Sequence, residues 1–125
     1  MKEILNTEKA PAAVGPYSQA IKVDSLIFTS GQLPINPENG EMPDSVEEQT
    51  EQSLKNVEAI LKSAGSDRNK IIKTTVFMTD LTQFSNMNGV YAKFFEEASL
   101  PARSCFEVSE LPKGAKVEIE VVAAV

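Results

Sequence analysis

The stretch Ile71-Ile72-Lys73-Thr74-Thr75-Val76-Phe77-Met78 constrains the fold more than any other. β-Branched and aromatic side chains dominate it, which reads as a buried strand. Helical patterns flank it on both sides. Upstream, Asp44 to Ala64 carries Thr50, Leu54, Val57, Leu61 and Ala64 at helical intervals, with Ile60 widening the stripe. Ser45 and Glu48 have capping-box spacing at its start, and Gly65 is placed to end it. Glu47, Glu48, Glu51 and Glu58 lie mostly off the stripe and read as a solvated face. Downstream, Asp80 to Gln83 gives a second helix-start signal, after which Met87, Val90, Tyr91, Phe94 and Phe95 share one face.

The remaining strands sit outside these helices. Tyr17 to Val23 and Leu26 to Ser30 form a hairpin pattern around Asp24-Ser25. Ala102 to Val108 alternates, with Arg103, Cys105 and Glu107 on one side and Ser104, Phe106 and Val108 on the other. After the turn Leu111-Pro112-Lys113-Gly114 comes a last strand, Val117 to Val125. Its Val117, Ile119, Val121 and Ala123 face one way and Glu118, Glu120, Val122 and Ala124 the other. Ala10 to Pro16 and Gln32 to Pro43 read as irregular segments.

Hairpin, helix, strand, helix and two strands make an α+β layer, a single mixed sheet with two α-helices packed on one face. Two helices cover one face only. Ile71–Met78 and the end of the last strand read as apolar on both, so the second face calls for another copy of the chain. The 125 residues fit one domain, 1–125, with no repeat, linker or low-complexity tract.

Composition narrows the chemistry. No histidine is present, which removes Ser-His-Asp and Cys-His catalysis and nearly every common zinc or haem site. A single cysteine, Cys105, makes no intrachain disulfide. The net charge of −6 disfavours phosphate backbones and anionic lipid, so neither a nucleic acid nor a membrane is an expected partner. Met1 to Asn6 has no apolar stretch of signal-peptide length, and Val121 to Val125 is far too short to span a bilayer. The expected location is the cytoplasm.

Acid–base and binding work then falls to Arg, Glu, Tyr, Cys, Ser or backbone groups. Arg103 has the fork geometry for a carboxylate, although an arginine on a strand is more often solvated or ion-paired. Cys105 shares its face; without a histidine to activate it, a small half-buried apolar role is the simpler reading. Glu118 and Glu120 would position a water from a pocket, or they are solvent-facing glutamates that guard an edge strand. Tyr17, Ser30 and Gly31 bracket the first hairpin and would suit a cleft or merely a strand end. Asn88, on the second helix, would bind a ligand or face solvent. Neither the dinucleotide fingerprint nor the P-loop is present.

Several ordered blocks together resemble the RidA/YjgF family, the reactive intermediate deaminases, over essentially the whole chain. They are Gly15-Pro16-Tyr17-Ser18-Gln19-Ala20, Phe28-Thr29-Ser30-Gly31-Gln32, Val76 to Leu81, Met87-Asn88-Gly89-Val90-Tyr91, Pro101-Ala102-Arg103-Ser104-Cys105, Leu111 to Gly114 and Val117-Glu118-Ile119-Glu120. The resemblance implies a chorismate-mutase-like fold assembled as a homotrimer, with active sites in clefts between subunits. It implies hydrolysis of reactive 2-imino acids, such as 2-iminobutanoate and 2-iminopropanoate, to 2-keto acids and ammonia, with no cofactor and no metal. By the same resemblance Arg103 holds the substrate carboxylate and Glu118 lies near the attacking water. Cys105 would contact the ligand through its backbone, and Tyr17, Ser30, Gly31 and Asn88 match pocket positions. Phe106 stands where the family has a smaller residue, and the segment between Phe95 and Pro101 differs from some members; neither touches the arginine. Three other functions fit the chain less directly: a keto-acid binding protein without turnover, an RNA- or translation-directed regulator, and a holdase-like chaperone.

Overall fold

The computed structural model describes residues 1–125. Six strands, β1 (Lys2–Leu5), β2 (Ala20–Val23), β3 (Leu26–Thr29), β4 (Ile71–Met78), β5 (Ala102–Glu107) and β6 (Val117–Ala124), form one sheet in the order β1-β2-β3-β6-β4-β5. Only β4 and β5 run parallel, joined through helix α2 (Phe84–Phe94). Helix α1 (Val46–Ser63) carries the chain from β3 to β4 and leaves a gap between them that β6 fills last. No helix is long and apolar enough to cross a membrane.

Local chemistry sets the ends of α1. Ser45 Oγ accepts from the Glu48 backbone N–H at 3.1 Å, and the Glu48 carboxylate in turn accepts from that hydroxyl. This satisfies one of the donors a helix start leaves unpaired. At the other end Gly65 takes φ +79, with Ser66 N–H donating to the Leu61 carbonyl and Gly65 N–H to that of Lys62. That pair of bonds is the Schellman arrangement, which glycine enters without a Cβ penalty. The start of α2 lies later than the sequence pattern implies. Asp80 caps a single tight turn, Leu81–Gln83, and the helix proper begins at Phe84.

Leu54, Val57, Ile60 and Leu61 of α1, with Met87 and Tyr91 of α2, pack on Ile27, Val76, Ile119 and Val121 of the sheet. Each large apolar side chain removed from water here contributes about 1.5–3 kcal/mol. Polar residues on α1 fasten the loops. Asn56 Nδ2 donates to the carbonyls of Leu33 and Ile35 at 3.0 and 2.9 Å, fixing the segment after β3.

Three features differ from the sequence reading. The first is β1, which pairs with β2 and adds an edge strand. Four residues with only Leu5 buried give no usable alternation. The second is the start of β2 at Ala20 rather than Tyr17, because Gly15 (φ +125) and the bond from Tyr17 N–H to its carbonyl turn the chain just before. The third is β4, which is not apolar on both faces. Thr74, Val76 and Met78 point to the helices, whereas Lys73, Thr75 and Phe77 stand half-buried on the open side.

That open face nonetheless carries an apolar row. Strand register aligns Ile4, Ile21, Phe28 and Val122 across β1, β2, β3 and β6. Farther along the same face, Phe77 and Phe106 stack with ring centroids 6.4 Å apart. Ile4, Phe28 and Phe106 are 64 %, 44 % and 54 % exposed, far from the water-excluded state that such side chains favour.

Candidate functional site

The residues singled out in the sequence gather into two clusters. The first surrounds a cavity of about 630 Å³ lined by Tyr17, Ser30, Gly31, Lys113 and Glu118 together with the loops after β1 and β3. Gln32 and Ile119 exchange backbone hydrogen bonds at 2.8 and 3.2 Å, which ties the turn after β3 to β6 next to Glu118. The Glu118 carboxylate lies against the Gly31 backbone, in the space that a Cβ there would need. Burial, and secondarily the charge of Glu120, pushes the Glu118 carboxyl above its ordinary pKa. Ser30 is committed to the framework, its hydroxyl donating to the Ser18 carbonyl at 2.6 Å.

The cavity wall depends on Gln19, which sequence reasoning passed over except as part of a motif. This buried amide accepts from Thr7 N–H at 2.7 Å and donates to the carbonyls of Thr7 and Pro11 at 3.0 and 2.8 Å. It thereby holds Pro11, Ala12 and Val14 along one side. A glutamine just before a strand gave no signal of this, because its partners lie up to twelve residues away.

The second cluster is built by β5 and α2. Arg103 Nη1 donates to Asn88 Oδ1 at 2.7 Å, and its guanidinium lies 4.7 Å from the Tyr91 ring centroid and 5.4 Å from that of Phe84. Tyr91 is itself fixed by a 2.7 Å hydrogen bond with Thr74 in the core. The four ion pairs of the chain do not include Arg103, so its remaining N–H groups are free to meet an anion. Cys105 lies on the same face, packed against the core, and burial pushes its thiol up, with Arg103 opposing only in part. Such a thiol stays protonated near neutrality.

The sheet separates these clusters. Arg103 is in register with Thr74, and Thr74 with Val121, all on the helix side. Glu118 is in register with Phe77 on the open side. Tyr17, Ser30, Gly31 and Glu118 therefore meet within one chain, as do Asn88, Arg103 and Cys105, but the two sets do not meet each other. Phe106 stands on the open face against Phe77, away from the arginine.

The chain is similar to known proteins over nearly its whole length. The family described as Endoribonuclease L-PSP matches residues 7–125. The chain belongs to the RidA/YjgF family. A RutC family protein of Sinorhizobium fredii is 57 % identical over 98 % of this chain and 97 % of its own. The 2-iminobutanoate/2-iminopropanoate deaminase of Escherichia coli K12 is 50 % identical over 98 % of both. The crystal structure of Escherichia coli TdcF with bound serine superposes with a TM-score of 0.96, at 48 % identity and 98 % coverage of both chains. Two helices on one mixed six-stranded sheet are thus the RidA/YjgF fold.

Proposed function

We propose that this protein hydrolyses reactive 2-imino acids to 2-keto acids and ammonia, in sites completed between the subunits of a homotrimer. The carrying observation is Arg103, a half-buried guanidinium anchored by Asn88 with no carboxylate of its own chain to neutralise it. The deaminase name borne by relatives at 50 % identity supports the reaction, and the serine bound to TdcF supports a small amino-acid-like ligand. The division of the site between two faces supports assembly. An apolar row on the open face is available to bury, and a neighbouring subunit would bring its Arg103 to the Glu118 cavity.

The chemistry asks little of the protein. A protonated 2-imine is already electrophilic, and water adds to its carbon. Collapse of the resulting carbinolamine expels ammonia and leaves the keto acid, with no electron transfer. Arg103 would hold the carboxylate by charge-assisted hydrogen bonds and so orient the imine carbon. Glu118, with its pKa raised toward the working range, would take a proton from the water and return it to the departing nitrogen. Backbone groups at Gly31 and Cys105 would steady the developing charge.

The test is a coupled assay in which a dehydratase generates the imine in the presence of wild type, Arg103→Ala or Arg103→Lys. Loss of the charged contact is expected to cost about 3 kcal/mol, roughly two decades in kcat/KM. Lysine is expected to rescue poorly because it offers no planar fork. Near-normal turnover by the alanine variant would overturn the assignment. Keto-acid binding by the wild type without any acceleration would make the protein a binding module.

A further inference from the structure

Lys113 adopts φ +60 and ψ +21, a left-handed conformation that is unfavourable for any residue with a Cβ and that glycine would adopt freely. It lines the Glu118 cavity, where it is the only cation among the lining residues. It is exposed, and none of the chain's four ion pairs engages its ammonium, Glu118 included. The chain around it carries a net charge of −6, which repels a small anionic substrate at a distance. A lone positive charge at the mouth of such a cavity focuses the local field in the opposite sense. Backbone strain maintained beside a ligand cavity is a recurring mark of a functional position.

We propose that Lys113 is a capture residue for the substrate carboxylate, drawing the anion to the cavity mouth before Arg103 takes it in the bound complex. The inference rests on the 2-imino acid reading above and adds to it the residue that governs encounter. Imines of this class decay in water by themselves, so an enzyme acting on them gains from a high capture rate more than from a high turnover number. A flexible ammonium suits capture, whereas the planar guanidinium suits the fixed contact.

The experiment measures kcat and kcat/KM for imine hydrolysis across sodium chloride concentrations, using wild type, Arg103→Ala, Lys113→Gln, Lys113→Gly and Lys113→Arg, each verified as the same assembly. Wild-type kcat/KM is expected to fall as salt rises. Lys113→Gln and Lys113→Gly are expected to lose about tenfold in kcat/KM at low salt, the lower end of the range for electrostatic steering, with kcat unchanged and the salt dependence flattened. Lys113→Arg is expected to restore the rate. Lys113→Gly removes the conformational penalty along with the charge, so a defect shared by the glycine and glutamine variants reports the charge and not the turn. A wild-type kcat/KM and salt profile in Lys113→Gln, or a loss in kcat instead of kcat/KM, overturns the proposal. If the wild type accelerates imine hydrolysis over buffer in that same experiment, only the role of Lys113 fails; if it does not, the reaction itself has been misassigned.

Discussion

The Glu118 carboxyl carbon lies 2.7 Å from where a Cβ on Gly31 would sit, closer than real Cβ atoms approach, so any side chain at position 31 would force the Glu118 carboxylate to move. The absence of a Cβ lets β6 bring its carboxylate close against the turn after β3. Glycine is needed there for close approach and not for an unusual backbone angle.

Gly31→Ala is therefore expected to displace Glu118 from the cavity. Overpacking of this kind costs about 1–3 kcal/mol where the neighbour cannot yield. Because a glutamate side chain swings away, the stability loss should fall at the low end while kcat/KM drops by at least tenfold. Thermal unfolding and imine hydrolysis measured on the same sample check both. An alanine variant with unaltered kinetics would show that Glu118 need not lie against the backbone.

Val122→Asp would place a charge in the row formed with Ile4, Ile21 and Phe28. An unpaired carboxylate taken into an interface loses several kcal/mol of hydration. The variant is expected to sediment as a monomer, with the circular dichroism of the folded chain and without deaminase activity. A variant that still assembles would place the interface elsewhere.

Cys105→Ser is expected to keep most of the activity. The thiol is pushed up by burial, and no histidine exists to deprotonate it. Slow alkylation of the wild type at neutral pH should accompany this result. Abolished turnover in a correctly assembled serine variant would give the sulfur a chemical role.

Arg68 joins α1 to the end of α2. Its Nε and Nη2 donate to Glu58 at 2.6 and 2.5 Å, its Nη1 donates to the Phe94 carbonyl at 2.8 Å, and its guanidinium lies 3.9 Å from the Phe94 ring centroid. The hydrogen bond from Arg68 holds the Glu58 carboxyl below its usual range. A lowered carboxylate pKa adds stability above the unfolded-state value, near 4.3, and that stability is lost as the pH falls through the folded value. Arg68→Met should cost about 1–2 kcal/mol at pH 7, discounted because the arginine is partly exposed, and the gap to wild type should close toward pH 3. Urea melts at the two pH values check the sign. A gap that stayed constant would assign the contribution to packing on Phe94.

Local chemistry wrote much of the fold into the chain. The helix period of Asp44–Ala64, the Ser45–Glu48 cap and Gly65 predicted α1 almost to the residue, because each acts within a few positions. The alternation in Val117–Val125 separated Val121 from Val122 correctly, since side chains on a strand must point to opposite faces. β1 escaped because a four-residue edge strand is held by its partner's hydrogen bonds and not by its own pattern. For the site, residue types and ordered motifs pointed to Tyr17, Ser30, Gly31, Asn88, Arg103, Cys105 and Glu118. Which of them meet was decided by register. Pairing Thr74 with Arg103 and Phe77 with Glu118 sends the guanidinium and the carboxylate to opposite faces of one sheet. The same folding brings Lys113 to the Glu118 cavity and ties Gln19 to Thr7 and Pro11. Periodicity fixes the face of a residue relative to its own strand, but hydrogen bonding between strands distant in the sequence fixes which residue lies beside it, and only the tertiary structure contains that second relation.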